Sequence, residues 1–198
     1  MLIGLYSSAP QSGKSTVASL LCEHHDYHVI PFAGTLKEML RVLLLDLGVS
    51  HQESERLLFV DKEEPLMVLG GKTPRYALQT IGTEWGRKTI WGDIWIQAWK
   101  QQVHQSRRVG QRLVVADDMR FPNEFDAIRS LGGITVRVER RGATEKAGVA
   151  MNHASQGALD GCVFDYTIEN NGDLVDLKRA VDKLMHDPAR HISESLAA

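Results

Sequence analysis

Cysteine is scarce in this chain: Cys22 and Cys162 are the only two in 198 residues, and neither sits at a metal-ligand or redox spacing. A disulfide framework is therefore not expected, and both thiols are expected to be reduced, as in a cytoplasm. Long apolar runs are missing as well. No stretch approaches the length of a membrane span. Leu2–Tyr6 already reads as a strand, so no secretory leader is expected. An excess of one charge is also missing: 23 Lys and Arg stand against 25 Asp and Glu, for a net charge of −2. No overall basic field marks nucleic acid as the main partner, although local basic clusters can still hold phosphates. Internal repeats and low-complexity linkers are absent. At 43% hydrophobic and 24% charged, the composition suits a single α/β domain with a sizeable core.

What is present begins at residue 8. The stretch Ser8-Ala9-Pro10-Gln11-Ser12-Gly13-Lys14-Ser15-Thr16 follows the apolar run Leu2-Ile3-Gly4-Leu5-Tyr6. It matches the phosphate-binding pattern G-x-x-x-x-G-K-[ST], except that Ser8 replaces the first glycine. Loop amides of this kind cradle a polyphosphate, the lysine reaches the β- and γ-phosphates, and the hydroxyl takes a place on Mg²⁺. ATP binding is thus expected of Ala9, Pro10, Gln11, Ser12, Gly13, Lys14, Ser15 and Thr16. Val17, Leu20 and Leu21 then fall at i, i+3 and i+4, the stripe of a helix packed on a sheet. That helix would aim its free N–H groups and dipole at the phosphates. A serine at position 8 is acceptable only where φ stays negative.

The rest alternates strand and helix, which predicts a parallel sheet covered on both faces. Strands are expected at Tyr27–Phe32, Arg112–Asp117, Ile134–Val138 and Val163–Ile168. Helices are expected at Leu36–Leu47, around Gln52–Phe59, from Pro74 to about Ile90, at Ile94–Gln105, at Pro122–Leu131 and from Leu174 to Leu184. The last is capped by Asp173 or Asn171. Residues 188–198 form a polar tail. Leu113-Val114-Val115-Ala116 ends in Asp117 and Asp118, carboxylates at the sheet edge where open α/β folds bind ligands. Asp117 is assigned to the metal with Ser15, and Asp118 to the substrate side, with the reverse order left open. Arg120 is either their counter-ion or a phosphate clamp.

Five stretches in order carry a resemblance. They are the loop at Gly13-Lys14-Ser15, R-Y-A-L-Q-T-I-G-T-E-W-G-R at 75–87, V-V-A-D-D-M-R-F-P-N-E-F-D-A-I-R-S-L-G-G-I-T-V-R-V-E at 114–139, N-H-A-S-Q at 152–156 and I-E-N-N-G-D-L at 168–174. Together, over about residues 1 to 186, the chain resembles the phage-type deoxynucleoside monophosphate kinases. The resemblance implies a P-loop kinase fold, three layers α/β/α around a mainly five-stranded parallel sheet. It also implies transfer of the γ-phosphoryl of ATP to a deoxynucleoside monophosphate (dNMP), a Mg²⁺ requirement and, as often in that family, a homodimer. Residues 1–187 would form one kinase domain, with an acceptor-binding helical region at about 34–106 and a lid at about 140–160.

On that basis the expected acceptor residues are Gly34, Lys37, Arg75, Gln79, Asp118 and His153. Arg75 and Gln79 lie four apart on one helix face, suited to an acceptor phosphate and a base edge. Lys14, Asp117, Arg120, Arg140 and Arg141 form the expected catalytic set, with the two lid arginines closing on ATP. Arg137 belongs either with them or to the solvent face of its strand. His24, His25, Asp26 and His28 crowd a helix end, where the dipole favours histidine. Trp85, Trp91, Trp95 and Trp99 recur at helical spacing and read as core. Two other activities fit the same loop: phosphorylation of a hydroxymethylated base within DNA, and ATP binding without catalysis.

Overall fold

The computed structural model describes residues 1–141 and 157–186; the expected tail, His153 and most of the expected lid lie outside the described residues. The elements follow in the order β1 (Leu2–Tyr6), α1 (Lys14–His25), β2 (His28–Val29), α2 (Gly34–Asp46), α3 (His51–Phe59), α4 (Pro74–Gln79), α5 (Ile94–Arg108), β3 (Val114–Ala116), α6 (Pro122–Ser130), β4 (Ile134–Glu139), β5 (Tyr166–Glu169) and α7 (Leu174–His186). The chain divides into two compact units, Met1–Pro31 with Gln102–Ala198, and Phe32–Gln101.

The first unit is a three-layer α/β structure. Its five strands run in the order β2-β3-β1-β4-β5, and each neighbouring pair is parallel. The central strand β1 is buried throughout, as a parallel strand covered on both faces must be. Side chains alternate across the sheet. Ile3, Leu5, Val115, Val136, Val138 and Ile168 pack with Val17, Leu20 and Leu21 of α1 and Leu177, Val181 and Leu184 of α7. Gly4 faces the other way. A Cβ there would lie 2.8 Å from Ile128 Cγ1, so α6 sits directly on the strand backbone on that side. Asp173 Oδ1 accepts from the N–H groups of Val175 (2.8 Å) and Asp176 (3.0 Å), and so caps α7 as expected.

Several strands are shorter than the sequence suggests. β2 spans only His28–Val29 rather than Tyr27–Phe32, although Ile30 N–H still reaches Val115 C=O at 2.9 Å. β3 keeps only Val114–Ala116. β5 begins at Tyr166, not Val163, because Asp165 is used as an anchor: its Oδ2 accepts from both N–H and Oγ1 of Thr135, at 2.8 and 2.7 Å.

The second unit is helical. Leu40 and Leu44 of α2 and Leu58 of α3 form its centre, with Val49, Leu66, Leu69, Ala77, Leu78 and Ile81 around them. The expected α2 stripe is narrower than its leucines suggest, since Met39, Leu43 and Leu47 are exposed. The helix expected from Pro74 to Ile90 changes form part-way. It is α-helical over Pro74–Gln79 and continues as a wider π-helix over Thr80–Ile90. Trp95 Nε1 donates to Gly82 C=O at 2.8 Å, and its ring lies against Gly86, where a Cβ would come within 2.4 Å. The widened turn closes with Trp91 N–H on Gly86 C=O at 2.9 Å. Trp95 and Trp99 are core, Trp99 stacking on Phe32 at 4.3 Å, whereas Trp85 and Trp91 are exposed.

Candidate active site

The phosphate-loop segment joins the C-terminal end of β1 to α1. Ser7 starts the turn, its Oγ accepting from Ala9 N–H at 3.2 Å. Gln11 and Gly13 both take left-handed conformations, with φ of 57° and 98°. Ser8 does not, so the missing first glycine is not needed here. Gly13 occupies the N-cap position without a side-chain cap, and no acidic residue lies in the first turn of α1. The first N–H groups of the helix are therefore presented to any anion held in the loop.

Lys14 opens α1. Burial pushes its ammonium below the ordinary lysine range; Arg120 pushes the same way, while Asp118 and Asp117 oppose it. These four side chains, expected from separate motifs, thus share one electrostatic neighbourhood. They come together because β1 and β3 are parallel neighbours, with Gly4 opposite Ala116, so the residues after both strands emerge at the same edge of the sheet. Asp117 is also felt by Cys22 in α1, whose thiol is pushed up first by burial and then by that carboxylate. Ser15 and Thr16 are exposed, Asp117 and Asp118 are half-buried, and Arg120 is exposed.

Arg137 is committed elsewhere. It donates from Nη2 to the carbonyls of Leu159 (3.1 Å) and Asp160 (2.7 Å), and its guanidinium lies 4.6 Å from the Phe164 ring centre. Arg140 and Arg141 are exposed at the end of β4, and Arg141 N–H donates to Asn171 Oδ1 at 2.8 Å.

In the second unit, Gly34 starts α2 and the Lys37 ammonium lies 4.3 Å from the Phe59 ring centre. Arg75 and Gln79 share α4, both exposed, and Arg75 pairs with Glu63. The crowded histidines at the end of α1 are partly accounted for by His25 Nε2, 3.0 Å from Asp182 Oδ1. An open cleft of about 430 Å³ lined by Met1, His104, Arg107, Arg108 and Arg112 lies at the opposite sheet edge, before β1 and β3.

No family model matches the chain. A candidate deoxynucleotide monophosphate kinase of Acanthamoeba polyphaga mimivirus is 31% identical over 153 residues, which cover 72% of this chain and 75% of that protein. The chain belongs to the deoxynucleotide monophosphate kinase family. It is accordingly a kinase, a phosphotransferase of the nucleotide-kinase type. The solved structure of TT1252 from Thermus thermophilus shares its fold, with a TM-score of 0.52 at 20% identity over 95% of this chain and 97% of that one. Dephospho-CoA kinase from Campylobacter jejuni is a more distant match, with a TM-score of 0.46 at 15% identity over 94% and 96% of the two chains.

Two buried polar residues of this kinase went unassigned in the sequence. Glu124 is buried, and its Oε2 accepts from the N–H groups of Arg120 (2.7 Å) and Phe121 (3.1 Å), fixing the turn that follows Asp117 and Asp118. Pro122 at the helix start with Glu two residues later was the available signal. Asn170 is the other. It lies just past β5, and its Nδ2 donates to Ser12 C=O in the phosphate-loop segment at 2.9 Å.

Proposed function

We propose that this kinase transfers the γ-phosphoryl group of ATP to a deoxynucleoside monophosphate, giving the diphosphate for DNA precursor synthesis. The observation that carries the reading is the shared neighbourhood of Lys14, Asp117, Asp118 and Arg120 beside an uncapped helix start. Family membership supports the choice of acceptor class, and a thymine, guanine or modified pyrimidine base fits the reading equally.

Phosphoryl transfer depends on positioning and charge neutralisation. In this scheme Ala9–Thr16 hold the triphosphate, and Lys14 lies against the transferring group. Burial disfavours the Lys14 ammonium, and arriving phosphate oxygens would favour it. Mg²⁺ prefers hard oxygen ligands and commonly takes one or two carboxylates together with substrate phosphates. The Ser15 hydroxyl and the Asp117 carboxylate fit that donor set, and no group of three or more His, Cys, Asp or Glu among the described residues offers a metal site of its own. When bound, the metal would neutralise charge on the phosphate oxygens. Asp118 is assigned to the acceptor and Arg120 to charge developing on the transferred group, with Arg140 and Arg141 contributing from the end of β4. Gly34, Lys37, Arg75 and Gln79 supply the acceptor region in the second unit, with the lysine leaving the Phe59 ring and the arginine leaving Glu63. His153 would orient the lid or touch phosphate. The active unit is a homodimer in this reading.

A panel of natural and modified dNMPs, each with ATP and Mg²⁺, tests it. ADP release dependent on at least one monophosphate is expected. ATP binding without acceptor-dependent ADP release would favour a non-catalytic nucleotide-binding protein instead.

A further inference from the structure

Four structural facts converge on the pair Asn170-Asn171. Asn170 is only 6% exposed, and its Nδ2 donates to Ser12 C=O across 158 positions of sequence. Its own backbone N–H donates to Glu139 C=O at 2.7 Å, locking it to the end of β4. Its side chain also fills the space beside Gly13, where a Cβ would come within 2.3 Å of Nδ2. The neighbouring amide of Asn171 points its Oδ1 at Arg141 N–H. One dipeptide therefore holds both the loop assigned to the ATP phosphates and the backbone of an arginine assigned to them. Asp173 fixes the dipeptide from behind by capping α7, which also brings Leu177 to 3.9 Å from a Cβ at Gly13.

We infer that Asn170 and Asn171 are positioning residues for the ATP phosphates: Asn170 sets the phosphate loop, and Asn171 sets the backbone at Arg141. The inference rests on the proposed function. The physical content is directional. The Ser12 carbonyl is engaged by the Asn170 donor, so its oxygen is held by the protein rather than offered to a bound anion. Without the Asn170 donor, that carbonyl is buried without its partner, and the loop can relax toward conformations that present oxygen to the phosphates. Asparagine is required because the position needs a donor. Aspartate has the same shape but would set a carboxylate oxygen against the carbonyl.

Four full-length variants test this: Asn170→Asp, Asn170→Ala, Asn171→Ala, and Ile168→Val as a control that loosens β5 without touching the loop. MgATP affinity is read by calorimetry, KM for ATP and for the dNMP by steady-state kinetics, and fold by thermal melting. Asn170→Asp should weaken MgATP binding on the order of tenfold or more, and Asn170→Ala somewhat less. Asn171→Ala should lower kcat with a smaller effect on ATP affinity. The dNMP KM should stay within about twofold throughout, and Ile168→Val should leave all three parameters at wild-type values. Unchanged MgATP affinity in a folded Asn170→Asp protein overturns the inference. So does an equal loss in Ile168→Val at matched melting temperature, which would make the effect one of general stability. A wild type that binds MgATP but phosphorylates no dNMP would defeat the proposed function while leaving the binding comparison intact. A wild type that binds no ATP would defeat both.

Discussion

Ser8 stands where the phosphate-loop pattern has its first glycine, yet the unusual backbone sits elsewhere, at Gln11 and Gly13. A left-handed Gln11 costs on the order of 1–2 kcal/mol, which the surrounding loop must offset. The loop itself was legible because its chemistry needs a fixed order of residue types. What holds it was not, because Asn170 is far away in sequence and its partner is a backbone carbonyl, which leaves no trace in residue identity. Two expectations belong at this scale. Lys14→Ala should lower kcat about 10²–10³-fold while melting close to wild type, since the lysine's burial costs the fold rather than helping it. Steady-state rates beside a thermal melt check this; retained turnover would contradict the assigned role. The second concerns pH. The free Lys14 ammonium titrates below the ordinary lysine value of about 10.4. Phosphate favours the charged form, so MgATP affinity should begin to fall as pH rises through that depressed pKa, earlier than an exposed lysine would allow. The sign for folding is opposite: this group's contribution to stability improves as pH rises past the depressed pKa. Calorimetry of MgATP binding from pH 7 to 10 reads the effect, and Lys14→Ala should abolish that part of the slope.

Elements were read more accurately in type than in extent. The helices expected around Gln52 and from Pro74 start at His51 and Pro74. Ser50 Oγ accepts from Glu53 N–H at 3.2 Å at the first start, and Thr73 Oγ1 from Tyr76 N–H at 3.1 Å at the second, caps not singled out in the sequence. Strand ends were overestimated because apolar side chains continue past the last ladder bond; Phe32 is buried, but in the helical unit against Trp99. The π-helix over Thr80–Ile90 could not be read from apolar spacing, which fits an ordinary helix as well, and the Trp95 indole that packs on it comes from the next helix. Gly82 and Gly86 were visible, but why they had to be glycine was not. Gly86→Ala should therefore destabilise the protein by roughly 1–3 kcal/mol, because a methyl group would overlap the buried Trp95 ring. Urea denaturation monitored by tryptophan fluorescence measures this. A stability gain, as alanine gives in an unhindered helix, would contradict the packing described for that turn.

At the scale of the whole chain, the parallel five-strand sheet followed from alternation of strands and helices, and the family from ordered motifs rather than from the loop alone. The base preference did not follow, because it depends on how a few side chains meet in space. Arg75, Gln79 and Lys37 are identifiable in sequence, but their present partners, Glu63 for Arg75 and Phe59 for Lys37, are not. The net charge of −2 argues for a small acceptor over a DNA polymer, and a DNA-directed activity would carry a steep salt dependence. The most direct measurement is transfer of label from [γ-³²P]ATP, with the products separated by thin-layer chromatography. Incubation with Mg²⁺ and single dNMPs should move the label into a deoxynucleoside diphosphate for one or more bases, and Lys14→Ala should suppress it. Label that stays in ATP or appears only as inorganic phosphate with every dNMP would contradict the account.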